Sequence, residues 1–197
     1  MRIGVISDTH VPDRADQLPE EIGEIFRGVD LILHAGDLCQ ARVLDWLRAM
    51  APVVAVRGNR DDRLTDLPEK AIVLAENWRI GLIHGTRLRS QEASDRLRYL
   101  LGDRSFREQR CFVRQAFADE AVHCIVFGHS HQVCHEMEEG ILLFNPGGVV
   151  PSWRGGPSSV GLLEATGHGL VAQIIELRHP PQPLPLRERL RRSLSTP

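Results

Sequence analysis

The chain has 197 residues, of which 42% are hydrophobic and 25% charged, as is typical of one well-packed globular domain. Its formal net charge of −2 gives no argument for a nucleic-acid or anionic-membrane partner, and no apolar run approaches the roughly 20 residues that cross a bilayer. The four cysteines form no CxxC pair, and no secretory signal precedes the first predicted strand. We therefore expect reduced thiols and a cytoplasmic protein.

In the first third of the chain, short apolar runs alternate with amphipathic stretches. The runs predict strands at Ile3–Ser7, Leu31–His34 and Val53–Val56, and the amphipathic stretches predict helices at Pro19–Arg27 and Ala41–Met50. This alternation of strand and helix predicts parallel strands with the helices outside the sheet.

The rest of the chain is richer in strands. Helices are predicted at Gln91–Leu101 and Ser105–Ala118, and strands at Ala71–Leu74, Trp78–His84, His123–Phe127, Val133–Met137, Ile141–Asn145, Ser159–Glu164 and Val171–Leu177. Gly140, Gly147-Gly148 and Gly167–Gly169 punctuate the last strands and favour hairpins. We predict one α/β domain over residues 1–178, with two sheets packed face to face and helices outside. A Pro-rich, basic tail follows at 179–197.

Five of the predicted strands end in side chains that can bind a metal ion. These side chains are Asp8, His10, Asp37, Asn59, His84, His129 and His131. Because the carboxyl ends of parallel strands meet at one edge of a sheet, we expect them to lie close together. Imidazole, carboxylate and amide oxygen are ligands of Mn, Fe, Co and Zn. Seven candidates exceed the need of one tetrahedral ion and fit two ions that share a bridging carboxylate.

Each of these residues alone has an ordinary structural explanation. A single Asp after a strand is most often a helix cap or a turn residue, and an HxH pair occurs by chance. Five strand ends of the same form in one short chain are hard to explain by turn chemistry, so we favour the metal site.

The segments SDTH, GD, GN, HG and GHSH, in this order, resemble the calcineurin-like metallophosphoesterase family, and in particular its small bacterial and archaeal phosphodiesterase branch. The resemblance runs from about Ile3 to Gly148 and includes NPGG at Asn145–Gly148. It implies a four-layer αββα sandwich of two mixed sheets flanked by helices. It also implies two divalent transition-metal ions, with Mn expected and Fe, Zn, Ni or Co as alternatives.

Carried over by position, the resemblance assigns Asp8, His10, Asp37 and His131 to the first ion. Asp37 would bridge to the second ion, which Asn59, His84 and His129 would complete. The implied reaction is hydrolysis of a phosphodiester by in-line attack of a hydroxide that bridges the ions. Asp37, Asn59, Arg60 and His84 are the expected catalytic residues, with Asn59 and Arg60 binding substrate.

Two alternatives to this activity remain open. A phosphomonoesterase or nucleotidase would use the same site, whereas a non-catalytic metal-binding interaction module would keep only the fold and the ions. The expected partner is a small phosphoester, without membrane or nucleic acid, and the sequence leaves a homo-oligomer open.

The sequence departs from the family pattern in two places. Arg60 follows the Gly-Asn pair, where many relatives have histidine and the small branch often has cysteine; arginine cannot donate a proton near neutral pH but can clamp phosphate oxygens. The alternative is a surface pair of Arg60 with Asp61 or Asp62. The second departure is an arginine-rich helical insert at about 86–120, which is either a solvated face or a cap that grips a polyanionic substrate through residues such as Arg87 and Arg89.

Overall fold

A computed structural model describes residues 1–103, 105–151, 155–181, 184, 185, 187, 188 and 191, so much of the predicted tail at 179–197 lies outside the described residues. In chain order, the elements are β1 (Arg2–Ile6), α1 (Glu21–Ile25), β2 (Leu31–His34), α2 (Arg42–Arg48), β3 (Val53–Ala55), β4 (Lys70–Ala75), β5 (Trp78–Ile83), α3 (Arg89–Leu100), α4 (Arg107–Gln115), β6 (Cys124–Val126), β7 (Val133–Glu138), β8 (Ile141–Pro146), β9 (Ser159–Ala165) and β10 (Leu170–Glu176). Each predicted strand and helix has a counterpart, with ends that differ by a few residues.

The strands form two mixed sheets of five strands each. The first has the order β10-β9-β1-β2-β3, in which β1, β2 and β3 are parallel. The second has the order β4-β5-β6-β8-β7, in which β5, β6 and β8 are parallel. The predicted metal ligands follow the carboxyl ends of parallel strands in both sheets: β1, β2 and β3 in the first, and β5 and β6 in the second.

Alternate residues of the strands pack on opposite sides, as the two-residue period of a strand requires. Ile3 and Val5 of β1 lie in the core between the sheets, whereas Ile6 packs with the buried residues of α1 and α2. On the second sheet, Ile125 packs with Val113 of α4. Helices thus cover the outer face of each sheet, which confirms the predicted four-layer αββα arrangement.

One of the predicted hairpins is wrong. Gly140 and Gly167–Gly169 lie between antiparallel neighbours, but Gly147-Gly148 joins β8 of the second sheet to β9 of the first. These two glycines therefore cross between the sheets, and the side chain of His131 fills the space where a Cβ of Gly148 would lie.

No helix among the described residues is both long and apolar enough to cross a membrane.

Candidate metal centre

The loops that follow β1 and β2 are held together by backbone hydrogen bonds. The amide of Asp8 donates to the carbonyl of Gly36, and the amide of His10 donates to the carbonyl of Asp37, each at 3.0 Å. The loop after β6 joins them, because the amide of His129 donates to Asp8 Oδ2 at 3.0 Å. Candidate ligands from three strand ends are thereby fixed relative to one another by main-chain contacts.

The first group of candidate ligands surrounds one side of Asp37. The Nε2 atoms of His10 and His131 lie 3.2 Å apart. Asp8 Oδ1 lies 3.3 Å from His131 Nε2, and Asp37 Oδ2 lies 3.6 Å from His10 Nε2. Donor atoms of Asp8, His10 and His131 lie within 4.8 Å of one another, close enough to hold one metal ion, and Asp37 Oδ2 lies beside them.

The second group surrounds the other carboxylate oxygen of Asp37. His84 Nε2 lies 3.4 Å from Asp37 Oδ1 and 3.3 Å from Asn59 Oδ1. Asn59 Oδ1 is also 3.0 Å from His129 Nδ1. All seven residues proposed from the sequence thus lie at one edge of the two sheets, with Asp37 between the two groups.

The hydrogen bonds of the histidines indicate which nitrogens face a ligand. His84 Nδ1 is 2.6 Å from the carbonyl of Ala35, and His131 Nδ1 is 3.0 Å from the carbonyl of Val150. Because a carbonyl only accepts, both Nδ1 atoms carry the proton, and the Nε2 atoms of the neutral rings present lone pairs. Each Nε2 atom faces a carboxylate oxygen, and a cation between the two, either a metal ion or a proton on the ring, would stabilise this arrangement.

Asp8 supplies an independent indication of a bound cation. Its Oδ2 accepts from Ser7 Oγ and from the amide of His129, but its buried Oδ1 has no hydrogen-bond donor among the described residues. Burying a carboxylate oxygen without a partner is costly. The donor set of nitrogen, carboxylate and amide oxygen fits divalent transition-metal ions.

Five of the seven candidate ligands have left-handed backbone conformations. Their φ angles are 54° at Asp8, 48° at His10, 59° at Asp37, 68° at His129 and 56° at His131. Only nine non-glycine residues of the described chain have positive φ, so these conformations are concentrated at the site. Each is less favourable than an ordinary conformation for these residue types, and such strain is typical of functional positions.

The charges of Asp37 and His84 shift each other's pKa. Burial opposes the charged forms of both Asp37 and His84, but their mutual attraction dominates: the pKa of Asp37 lies below its ordinary value, and that of His84 is raised to about 9. Burial lowers the pKa of His10 well below its ordinary value, so its ring is neutral. In the absence of an ion, the proton on His84 takes the place of a cation beside Asp37.

Two glycines adjacent to the ligands are required by close approach. A Cβ at Gly58 would collide with the side chain and amide of Asp37, and a Cβ at Gly128 would collide with Ser7 Oγ. The space that each Cβ would take is therefore occupied by Asp37 at Gly58, and by Ser7 and Asp8 at Gly128.

Asp61 has a structural role that no sequence motif indicates. Its fully buried carboxylate accepts from the amides of Asp37, Gly58 and Cys39 at 2.7–2.8 Å. The predicted surface pair of Arg60 with Asp61 is therefore wrong, because both oxygens of Asp61 point into the protein. The charge run RDDR predicted only solvent exposure, which holds for Asp62 and Arg63.

Arg60 lies at the mouth of the site. Its amide donates to Asp37 Oδ1 at 2.7 Å, and its half-exposed guanidinium is 3.4 Å from Asp13 Oδ2. Arg60 also lines a cavity of about 340 Å³ above the candidate ligands. Arg60 therefore lies next to the candidate ligands and is also partly exposed to solvent.

One face of α3 forms a wall of the same cavity. Its residues Arg89, Glu92, Ala93 and Arg96 line the cavity, and Glu92 Oε1 lies 2.8 Å from His129 Nε2. The i, i+3, i+4, i+7 spacing of these residues is a signal in the sequence that could have identified this face. Thr86, whose Oγ1 donates to Asn59 Oδ1 at 3.1 Å, carries no comparable signal.

Comparison with known families identifies the chain. The model of the calcineurin-like phosphoesterase superfamily domain matches residues 1–168. The chain belongs to this superfamily. A probable metallophosphoesterase of Methanothermobacter thermautotrophicus is 37% identical over 182 residues, which cover 91% of this chain and 95% of the relative. This membership supports a metal-binding phosphoester hydrolase.

Solved structures share the calcineurin-like phosphoesterase fold with this chain. Vps29 of Chaetomium thermophilum superposes with a TM-score of 0.72 at 24% identity, covering 90% of this chain and 89% of its own. Vps29 of Entamoeba histolytica complexed with Zn²⁺ gives a TM-score of 0.65 at 24% identity, covering 89% and 99% of the two chains. At this identity the similarity establishes the fold alone.

The raised pKa of His84 predicts that metal binding to this phosphoesterase releases a proton. With a pKa of about 9, His84 is protonated near neutral pH in the metal-free protein, and an ion at its Nε2 must displace that proton. Metal affinity should therefore increase about tenfold per pH unit towards pH 9. Calorimetric titration with Mn²⁺ in buffers of different ionisation enthalpy would measure about one proton released at His84.

The His123→Gln variant is the control for this titration, because His123 accepts from the amide of Arg79 and is not among the candidate ligands. Its proton release should equal that of the unmodified chain. A metal affinity that does not change between neutral pH and pH 9 would contradict the assignment of His84 Nε2 as a ligand.

Proposed function

We propose that the protein is a dinuclear metal-dependent phosphodiesterase. The observation that carries this proposal is the position of Asp37, whose two oxygens face two separate histidine groups. Oδ2 is 3.6 Å from His10 Nε2, and Oδ1 is 3.4 Å from His84 Nε2. A carboxylate between two nitrogen groups is the arrangement expected of a bridging ligand.

The proposal assigns the ligands to two divalent ions. Asp8, His10, Asp37 and His131 would hold the first, and Asp37, Asn59, His84 and His129 the second. The orphaned Asp8 Oδ1 and the outward lone pairs of His84 and His131 support this donor set. Nitrogen-rich coordination favours Mn, Fe, Co, Ni or Zn over Mg and Ca.

When bound, the two ions would supply a hydroxide nucleophile near neutral pH and neutralise charge on the phosphate oxygens. The chain's own residues position the reaction. The amide of Arg60 holds the Oδ1 atom of Asp37, and Thr86 orients the amide of Asn59 by donating to its Oδ1. The Arg60 guanidinium, at the cavity mouth, would bind phosphate oxygens of the substrate as a charged donor.

Arginine at position 60 also limits the chemistry. Because a guanidinium stays protonated near neutral pH, Arg60 cannot protonate the departing oxygen. Substrates whose leaving groups depart as stable anions are therefore favoured over those that need a proton. The preference for diesters over monoesters rests on the small phosphodiesterase branch that the five motifs resemble.

Metal-dependent ester hydrolysis tests the proposal. The purified protein would be stripped of metal, reloaded with Mn²⁺, and assayed with bis(p-nitrophenyl) phosphate and p-nitrophenyl phosphate. We expect hydrolysis only with metal, a higher kcat/KM for the diester, and two ions per chain by elemental analysis. His84→Ala should lower both the hydrolysis rate and the metal content.

Three results would change the proposal in different ways. A higher kcat/KM for the monoester would indicate a phosphomonoesterase or nucleotidase. One ion per chain at saturating metal would exclude the dinuclear site. Tight binding of two ions without hydrolysis of either ester would favour a non-catalytic interaction module of the same fold.

A further inference from the structure

The ring of His129 is held by a side chain, whereas the rings of His84 and His131 are held by main-chain carbonyls. The Nδ1 atom of His129 lies 3.0 Å from Asn59 Oδ1, and its Nε2 atom lies 2.8 Å from Glu92 Oε1. Because a carboxylate only accepts, the contact with Glu92 places a proton on Nε2, and the neutral ring then presents the Nδ1 lone pair towards the second ion. The orientation of this candidate ligand therefore depends on Glu92.

Glu92 belongs to the helical insert and not to either sheet. It lies in the first turn of α3, and its Oε1 atom also accepts from the amide of Arg87 at 3.1 Å. One carboxylate oxygen therefore joins the segment that follows β5, the start of α3 and a candidate ligand from the loop after β6. The same segment contains Thr86, which donates to Asn59 Oδ1 at 3.1 Å. The insert thus contacts the ligands of the second ion at two points.

Few apolar contacts hold α3 in place. The structure describes all of its residues, and Tyr99 is the only one of them that is buried. The three hydrophobic clusters of the described residues include none from α3, whereas Val113 of α4 lies in the cluster beside the second sheet. Packing of an apolar face is the main source of stability for helices in proteins. The position of α3 must therefore depend largely on polar contacts such as that of Glu92 with His129.

This contact differs from an ordinary ion pair on the surface. The side chains of Glu92 and His129 are only 30% and 22% exposed. The amide of Arg87 orients the carboxylate independently of His129, so the acceptor is in position before the ring is held. A partner that is fixed in advance loses less freedom when it holds a ligand, and such partners contribute to the affinity of a metal site.

We propose that Glu92 is a positioning residue for the second ion: it orients His129 through Nε2 and so couples the placement of α3 to the occupation of that ion site. In this role Glu92 touches neither the ion nor the substrate. Because the coupling of two equilibria is reciprocal, an ion bound at His129 should hold α3 in place to the same extent that Glu92 strengthens ion binding. The inference rests on the proposed function, because it concerns one ion of the proposed centre.

Calorimetric titration with Mn²⁺ in two single-ion backgrounds tests the proposal. His131→Ala should leave only the second ion, and His84→Ala should leave only the first. In the His131→Ala background, adding Glu92→Ala should raise the Kd by about tenfold to a hundredfold, as expected when a metal ligand loses the group that orients it. In the His84→Ala background the same substitution should leave the Kd unchanged, because the side chain of Glu92 contacts His129 and the amide of Arg87.

Two further substitutions separate positioning from the loss of a negative charge. Glu92→Gln keeps an oxygen that can accept both hydrogen bonds, so it should raise the Kd of the second ion much less than Glu92→Ala. Glu108→Gln is the matched control, since it removes one carboxylate charge from a pair with Arg98 that does not involve a candidate ligand. It should leave the Kd unchanged in both backgrounds. An equal rise with glutamine and alanine at position 92 would overturn the positioning role.

Hydrogen exchange of the amides of α3 is a second readout, and it needs no substitution of a metal ligand. In the unmodified chain these amides should exchange more slowly with saturating Mn²⁺ than with a chelator. Glu92→Ala should remove most of this difference at saturating Mn²⁺, whereas Glu108→Gln should keep it. Equal protection of α3 with and without metal in the unmodified chain would contradict the coupling.

Two results of the titrations would overturn the inference. One is an unchanged Kd for Glu92→Ala in the His131→Ala background. The other is an equal rise in both backgrounds, since it would indicate a general loss of structure. If the unmodified chain bound two ions and hydrolysed neither ester, the titrations would still decide the role of Glu92. If it hydrolysed the diester and Glu92→Ala changed neither Kd, only the positioning role would fail.

Discussion

Replacing Asp37 with asparagine is expected to lower kcat/KM for an activated phosphodiester by about a thousandfold or more. The carboxamide keeps the shape of the side chain and can still accept from the amide of Arg60. It removes the negative charge between His10 and His84, so one ion of the proposed centre would be lost or displaced. Each such ion would supply several kcal/mol of charge stabilisation, which corresponds to rate factors of this size.

The measurement combines steady-state kinetics with the metal content per chain. Asp45→Asn is the matched control, since Asp45 lies on the exposed surface of α2, where it pairs with Arg48. Its kcat/KM and metal content should equal those of the unmodified chain. If Asp37→Asn retained two ions and full turnover, the bridging role of Asp37 would be excluded.

Replacing Asp61 with alanine is expected to lower the free energy of unfolding by about 3 kcal/mol or more. The substitution leaves the buried amide of Asp37 and the partly buried amides of Cys39 and Gly58 without their acceptor. Each unsatisfied buried donor costs about 1–3 kcal/mol. Partial entry of water would hydrate the three amides, so their summed cost should lie near the lower end of what three such donors would give. A loss of this size lies at the upper end of what a single substitution commonly causes.

Denaturant unfolding in the presence of a chelator measures this effect without a contribution from bound metal. The neighbouring variant Asp62→Ala is the control, because Asp62 is exposed and should change the stability by at most about 0.5 kcal/mol. The Asp61→Asn variant keeps one carbonyl oxygen, so its free energy of unfolding should lie between those of the Asp61→Ala and Asp62→Ala variants. Equal unfolding midpoints for the Asp61→Ala and Asp62→Ala variants would show that the buried carboxylate is dispensable.

The features that the sequence predicted well are local ones. Apolar runs and their periods gave the strands and helices, because burial on one or both sides determines which residues a strand can contain. The convergence of Asp8, Asp37 and Asn59 could be expected for the same reason, since parallel strands share an edge. The order of the five motifs then indicated the family.

The features that could not be predicted from the sequence depend on contacts between distant parts of the chain. Asp61 binds amides 22 and 24 residues away, and nothing in the run RDDR separates it from its exposed neighbour Asp62. The sequence left the insert that contains α3 open as either a solvated face or a cap, because the spacing of Arg89, Glu92 and Arg96 shows a helical face without showing what it contacts. Both the burial of Asp61 and the surroundings of α3 are determined by tertiary packing.

The left-handed backbone at five candidate ligands has a consequence for how such a chain would change over generations. Glycine would adopt these conformations more readily than aspartate or histidine. At Asp8, His10, Asp37, His129 and His131, drift towards glycine would therefore relieve the backbone while removing a ligand. A descendant freed from binding metal would become easier to fold as its site decayed. Keeping Asp and His at these five positions requires continued selection for the site itself.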